Sequence, residues 1–116
     1  MPGPLFLHER LHAYHFARRF YRSAREIARQ LPRGLADLGD PLTRSARTSC
    51  LAIAEGAGAR SIRIKRAHFE RGTASQGESA ACLDQVADDD AAPGELLARA
   101  RAELESATRL TLGLLR

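Results

Sequence analysis

The stretch Arg44-Ser-Ala-Arg-Thr-Ser-Cys-Leu-Ala-Ile-Ala-Glu-Gly56, continued by Ala57-Gly-Ala-Arg-Ser61, decides the organisation of this chain. Between Cys50 and Ala54 it contains only small and aliphatic side chains, which predicts a buried helix. Gly56 and Gly58 are expected to end that helix, because glycine tolerates the positive φ common at helix ends. A strongly basic run follows, so a buried helix is joined through a glycine hinge to a cationic segment.

The composition of the chain favours an all-helical fold. Its 116 residues include no Trp and only 5% aromatic side chains, so a core must come from leucine, alanine and isoleucine. Valine and threonine, which favour strands, are scarce, whereas alanine and leucine favour helices. A chain of this length suits one domain.

Apolar periodicity divides the chain into four helices, at about residues 5–31, 41–56, 61–86 and 95–115. Asp40 and Pro41 predict an N-cap and a first helical residue for the second helix, with a short turn before it. Ser61 is the expected N-cap of the third helix, and an acidic loop precedes the fourth. Four helices with short connections and one core stripe each predict an antiparallel up-down four-helix bundle.

The first helix carries a second apolar stripe beside its core stripe. Leu7, Leu11 and Tyr14 lie on this narrower face, displaced from the core positions. An isolated bundle has no use for two apolar stripes, so these three residues are candidates for an oligomer interface. The sequence therefore predicts a homo-oligomer.

Two features of the helix interiors predict structural roles. The third helix has a face of small residues, Gly72, Ser75, Ser79 and Cys82, on which a neighbouring helix could approach closely. Glu55 and Glu78 stand among small or apolar residues, which predicts a buried ion pair or an interhelical hydrogen bond with an arginine such as Arg44. A proton or metal site is the alternative role for these two acids.

Charge is unevenly distributed along the chain. Residues 1–71 carry 14 basic and 6 acidic side chains, and residues 72–116 carry 4 basic and 8 acidic ones. Such asymmetry suggests a polyanionic partner, head-to-tail pairing between copies, or simply a solvated arginine-rich surface. The candidate phosphate-binding residues, which would bind an RNA or DNA backbone, are Arg44, Arg47, Arg60, Arg63, Lys65 and Arg66.

The candidate catalytic motifs in the sequence do not predict an enzyme. His8-Glu-Arg-Leu-His12 matches the zinc-protease pattern H-E-x-x-H. On a helix, however, His8, His12 and His15 would lie on the side opposite the core, on an open surface and not in a cleft. Adventitious metal binding by these histidines stays open. Cys50 and Cys82 sit on small-residue faces, where cysteine acts as a small hydrophobe, and nothing places a histidine beside them. Neither a catalytic residue, a resident metal nor a cofactor is predicted.

The segment Ile53-Ala-Glu-Gly56, with Arg44 and Ala46 ahead of it, resembles the four-helix-bundle proteins known from intervening sequences in bacterial 23S rRNA genes. Downstream, Ser75 and Glu78 match the family's Gly-Ser-x-x-Glu motif. The chain departs from the family pattern elsewhere, for example at Ala52, where asparagine is usual.

That resemblance implies a ring-shaped homo-oligomer, since relatives look like barrel-shaped homopentamers. Relatives include accessory proteins of diversity-generating retroelements, which bind nucleic acid and a reverse transcriptase. The implied function is that of a non-enzymatic adaptor that binds RNA or DNA and a protein such as a reverse transcriptase. The alternative from the residues alone is a structural or protein-interaction module with no role in nucleic-acid binding.

The sequence also indicates a compartment. No apolar run reaches the roughly 18 residues that a membrane-spanning helix needs, and the opening residues lack the features of a secretory signal. Two cysteines in helical stretches are expected to be reduced thiols. A cytoplasmic protein with no membrane partner is therefore predicted.

Overall fold

A computed structural model describes residues 3–116 of the chain, and this part is helical with no strand. Helix α1 spans His12–Gln30, α2 Gly39–Gly58, α3 Ile62–Asp88 and α4 Gly94–Leu114, with short 3-10 helices at Leu7–Arg10 and Arg33–Leu38. Helices α1 and α3 each pack against both α2 and α4. The predicted all-helical class is confirmed, and four helices packed in this way are consistent with a four-helix bundle.

The core consists of two clusters that follow the predicted stripes. The larger cluster is centred on Phe20, Ile27, Leu42 and Val86, and the smaller one includes Ile53. Full burial of one such side chain contributes about 1.5–3 kcal/mol. The core positions predicted on α1, α2 and α4 are buried or half-buried, except for the exposed Leu110.

Helix α1 starts seven residues later than the sequence predicts. Leu11 has φ −99° and ψ 120°, an extended conformation that separates the 3-10 helix Leu7–Arg10 from α1. The H-E-x-x-H pattern is therefore split between two elements, and His8 and His12 are not one turn apart on a continuous α-helix. The expectation of a single helix over residues 5–31 is wrong in this first part.

Helix α2 starts earlier and ends later than predicted. It begins at Gly39, continuing directly from the 3-10 turn, and Asp40 lies within its first turn instead of capping it. Pro41 is tolerated there because the first turn does not need its missing N–H. The helix runs through Gly56 to Gly58, and no glycine among residues 3–116 has a positive φ.

Glycine is required at position 56 because the packing leaves no room for a side chain there, and not because the backbone adopts a positive φ. A Cβ on Gly56 would lie 2.5 Å from Cε1 and 2.7 Å from Cδ1 of Phe69, closer than carbon atoms can approach. The ring of Phe69 therefore packs directly on the backbone of α2. The expected reason for this glycine, a left-handed helix end, is corrected to a close contact between α2 and α3.

Helix α3 follows the prediction more closely. The Ser61 hydroxyl accepts the Ile64 N–H at 3.4 Å, which confirms the predicted cap. The small-residue face packs on α2 as expected: Ser79 and Ser45 hydroxyls are 2.7 Å apart in the core. A Cβ on Gly72 would be in ordinary contact with Ala52 at 3.7 Å.

The two acids expected to be buried lie on the surface. Glu55 is exposed and accepts a hydrogen bond from Arg71 at 2.7 Å, so its partner is on α3 and is not Arg44. Glu78 is exposed as well. The sequence pattern failed here because small neighbours do not by themselves define the buried side of a helix. None of the helices between residues 3 and 116 combines the length and the apolar character that a membrane span requires.

Candidate nucleic-acid interface

The predicted phosphate-binding residues fall into two separate groups. Arg44 and Arg47 lie in the first half of α2, whereas Arg60 and the residues after it lie beyond the end of that helix. At about 1.5 Å per residue, the remaining length of α2 separates Arg44 from the second group by about 20 Å. The six residues therefore do not form one compact patch.

Two members of the second group stabilise helix ends. The Lys65 ammonium donates to the carbonyls of Gly56 at 2.7 Å and Ala57 at 3.2 Å, near the C-terminus of α2. Arg66 donates to the carbonyl of Leu115 just beyond α4. The last carbonyls of a helix have no N–H partner within the helix, so Lys65 and Arg66 donate hydrogen bonds that the helices themselves cannot provide. Arg60 and Arg63 remain exposed, without an ion pair among residues 3–116.

A larger cationic surface lies on α1, which contains none of the six predicted phosphate-binding residues. Four exposed arginines repeat with helical spacing along one side of this helix. None of the four forms an ion pair with a carboxylate of residues 3–116. We call this surface, together with Arg47 of α2, the arginine face; its α1 members are Arg18, Arg22, Arg25 and Arg29.

The spacing of the arginine face follows from the helix repeat. Steps of four, three and four residues bring all four side chains within about 60° of one another around α1. From Arg18 to Arg29 the helix rises about 16 Å, so the positive charges form a row and not a point. The spacing of these four arginines in the sequence was a signal that could have predicted the arginine face, whereas the six predicted residues lie on α2 and in the basic run that begins at Arg60.

Tyr21 organises the centre of the arginine face. The Arg47 guanidinium donates to the Tyr21 hydroxyl at 3.3 Å, which connects α2 to α1. The guanidinium carbons of Arg25 and Arg47 are 5.8 and 5.9 Å from the centroid of the ring, within range of cation–π attraction. The hydrogen bond from Arg47 lowers the pKa of the Tyr21 phenol below its usual value, and burial opposes this only in part.

The nearest acid on α1 is directed away from the arginine face. Glu26 accepts a hydrogen bond from Arg99 of α4 at 2.6 Å, so its charge is compensated on another side of the molecule. Two open cavities of about 260 and 340 Å³ share Arg18 and Tyr21 in their walls. The arginine face thus combines shaped, solvent-filled space with a positive charge that no neighbouring carboxylate cancels.

The predicted interface residues are only partly uncovered. Leu7 is 50% exposed, but Leu11 and Tyr14 are half-buried against the chain's own smaller core cluster, near Phe69. The second stripe of α1 is therefore largely covered within the same chain, because the break at Leu11 folds the 3-10 helix back. What stays exposed is Leu7 with the two apolar residues before it.

The histidines near this break make contacts of their own. His15 Nε2 lies 2.8 Å from the Glu9 carbonyl, and the His8 ring packs edge-on against Tyr14 with centroids 4.5 Å apart. Within residues 3–116 no group of three His, Cys, Asp or Glu side chains is arranged to hold a metal ion.

We expect both thiols of the folded chain to be unreactive. Burial raises the pKa of the Cys50 thiol to about 11. Burial also raises the pKa of the Cys82 thiol, and the negative charge of Glu78 raises it further. At pH 8 about one Cys50 in a thousand would be thiolate, the form that reacts with a disulfide reagent. Titration with Ellman's reagent should therefore show slow labelling that accelerates above pH 9 and becomes fast in denaturant. Rapid labelling of Cys50 at pH 8 in the folded protein would contradict the buried position of this thiol.

Comparison with models of known protein families gives no match, and comparison with curated proteins gives none either.

Proposed function

We propose that this protein is a non-enzymatic, oligomeric nucleic-acid-binding protein or adaptor, and that its arginine face contacts the phosphate backbone. The observation that carries the proposal is the row of four α1 arginines without acidic partners, extended across α2 by Arg47. Guanidinium groups match phosphate oxygens with paired N–H donors. A row about 16 Å long can follow several phosphates of one backbone.

The chemistry of the arginine face favours backbone contact over base recognition. Tyr21, its aromatic ring, already has two guanidinium groups within cation–π distance, which limits base stacking on it. Phosphate contacts supply affinity and orientation but little sequence information. The proposed ligand is therefore an RNA or DNA backbone bound with little sequence preference and with strong dependence on salt.

We propose an antiparallel up-down bundle that forms a ring-shaped homo-oligomer, with the pentamer implied by the resemblance, acting in the cytoplasm. In such a ring the arginine faces of several copies would act together, which raises the overall affinity for one long polyanion without new contacts. A reverse transcriptase or another protein remains a proposed second partner of the adaptor.

Removing arginines from the arginine face should abolish most binding. We expect Arg22→Ala/Arg25→Ala/Arg29→Ala to weaken binding of a labelled 20-base-pair RNA or DNA by roughly 10- to 100-fold at 100 mM salt. The salt dependence should also fall, by about 0.9 in log–log slope per lost contact to a duplex. Fluorescence anisotropy across a salt series measures both quantities.

Two matched variants keep that experiment specific. Arg101→Ala/Arg109→Ala/Arg116→Ala removes the same total charge from α4 and the last residue, without freeing Glu26, and should leave the slope nearly unchanged. Arg60→Ala/Arg63→Ala tests the site first predicted from sequence. If all three variants weaken binding equally, the effect is one of net charge and the arginine face is not the site. If the wild-type protein binds neither RNA nor DNA at 20 mM salt, the proposed function is wrong and the interaction-module alternative takes its place.

A further inference from the structure

A cavity between α1 and α2 adjoins the arginine face. It encloses about 340 Å³, and we call it the apolar cavity because Tyr14, Cys50 and Leu51 give it apolar walls. Leu51 is 55% exposed, so a large aliphatic side chain is open to solvent in a surface otherwise dominated by arginines. Contact between arginines and phosphates does not require such a wall. The full set of lining residues is Tyr14, Arg18, Tyr21, Arg47, Cys50 and Leu51.

A second cavity, of about 260 Å³, opens beside the apolar cavity and is lined by Tyr21 and the four α1 arginines. Arg18 and Tyr21 belong to the walls of both. A cationic space and an apolar space are therefore direct neighbours. A ligand that occupies both needs an anionic group next to a group with an apolar face, and a nucleotide unit combines a phosphate with a base of this kind.

The apolar cavity carries no negative charge. Among residues 3–116, no carboxylate lines either cavity. Because burial raises the pKa of Cys50 to about 11, this part of the wall is an uncharged thiol at neutral pH. Arg18 and Arg47 form no ion pair within residues 3–116, so their charges are available to a ligand. The walls thus complement an anion that carries an apolar ring.

The size of the apolar cavity suits one unpaired base. A cavity of about 150 Å³ holds benzene, so about 340 Å³ has room for a pyrimidine or a purine. A base in a duplex is paired and stacked between its neighbours, and it enters a pocket only after flipping out of the stack. Bases of a single strand are already free to leave the stack. The cavity therefore distinguishes single strands from duplexes.

We propose that the apolar cavity binds one unpaired base of a single-stranded RNA or DNA, while the arginine face binds the phosphates next to that base. The base packs against Tyr14 and Leu51, and the Arg47 guanidinium is a further group on which it stacks. Every base has a ring face, so this contact adds affinity with little sequence preference. The inference rests on the proposed function and names single-stranded nucleic acid as the ligand of that same site.

Fluorescence anisotropy with three labelled ligands separates base contact from phosphate contact. The ligands are a single strand of about 12 nucleotides, the same strand with abasic sites at its centre, and its duplex. The abasic strand keeps every phosphate and lacks only the bases. At 200 mM salt, where screening weakens the phosphate contacts, the intact single strand should bind about tenfold more tightly than either of the others.

Leu51→Ser tests the apolar wall without changing the charge. It should weaken binding of the single strand about tenfold and of the duplex less than twofold, because every arginine is retained. Leu112→Ser is the matched control: Leu112 is also an exposed leucine, at 48%, but it lies on α4 outside both cavities. An unchanged affinity in Leu51→Ser, or an equal loss in both variants, would overturn the assignment of the base to this cavity.

Intrinsic fluorescence gives a second readout at the same place. The chain has two tyrosines and no tryptophan, and both tyrosines line the apolar cavity. At equal occupancy, the intact single strand should quench their emission much more than the abasic strand does. Free tyrosine mixed with each strand corrects for absorption of light by the bases. Equal affinity and equal quenching with all three ligands overturn this inference while the proposed function stands, whereas no binding of any of them at 20 mM salt overturns both.

Discussion

Replacing Gly56 by alanine should destabilise the protein although alanine is the better helix former. In an exposed helix interior this exchange stabilises by about 1 kcal/mol. At Gly56 the new Cβ would lie 2.5 Å from Phe69 Cε1, so the ring or the helix must move. Overpacking of a close contact costs about 1–3 kcal/mol or more. We expect a net loss of roughly 1–2 kcal/mol in the free energy of unfolding, measured by urea denaturation.

Gly77→Ala is the matched control on α3. Nothing lies within 4 Å of a Cβ at Gly77, so only the helix propensity changes, and a gain of about 1 kcal/mol is expected for the single chain. The two variants should therefore differ in sign. A stabilising Gly56→Ala would show that Phe69 can rotate away without cost. Phe69→Leu in the Gly56→Ala background should recover part of the loss, because it removes the ring atoms that clash.

The sequence predicted the helices better than it predicted their ends. Apolar periodicity located four helices because each has a core stripe, and Ser61 was recognisable because capping depends on neighbouring residues alone. The break at Leu11 was not predictable in this way. It depends on packing of the 3-10 helix against α2, which no local pattern encodes.

Fewer features of the candidate site than of the fold can be read from local sequence patterns. Lys65 and Arg66 were selected for their charge, but their bonds to the ends of α2 and α4 depend on contacts between distant parts of the chain. Gly56 was assigned to a helix end because glycine often serves there, whereas its close contact with Phe69 appears only once α2 and α3 are packed. The arginine face was recoverable, since its spacing is local.

Gln76 should be more costly to shorten than to replace by an apolar side chain of similar size. Its amide connects α3 to Ser49 of α2 and Thr111 of α4, all three side chains being buried. Gln76→Ala removes this volume and leaves two hydroxyl oxygens without their donor. Cavity formation and lost hydrogen bonds together should cost about 2–4 kcal/mol of unfolding free energy.

Gln76→Leu should be less destabilising than Gln76→Ala, because it keeps the volume and removes the unpartnered Oε1 together with the donor. Thr111 still donates to the Ala107 carbonyl at 2.7 Å, whereas the buried Ser49 hydroxyl loses its hydrogen bond from Gln76, so a loss of about 1–2 kcal/mol relative to the wild type remains. Gln85→Ala, on the exposed side of α3, is the control and should change stability by less than about 0.5 kcal/mol. If Gln76→Leu is as destabilising as Gln76→Ala, the amide bonds outweigh packing in this part of the core, and the unpartnered oxygen carries little penalty.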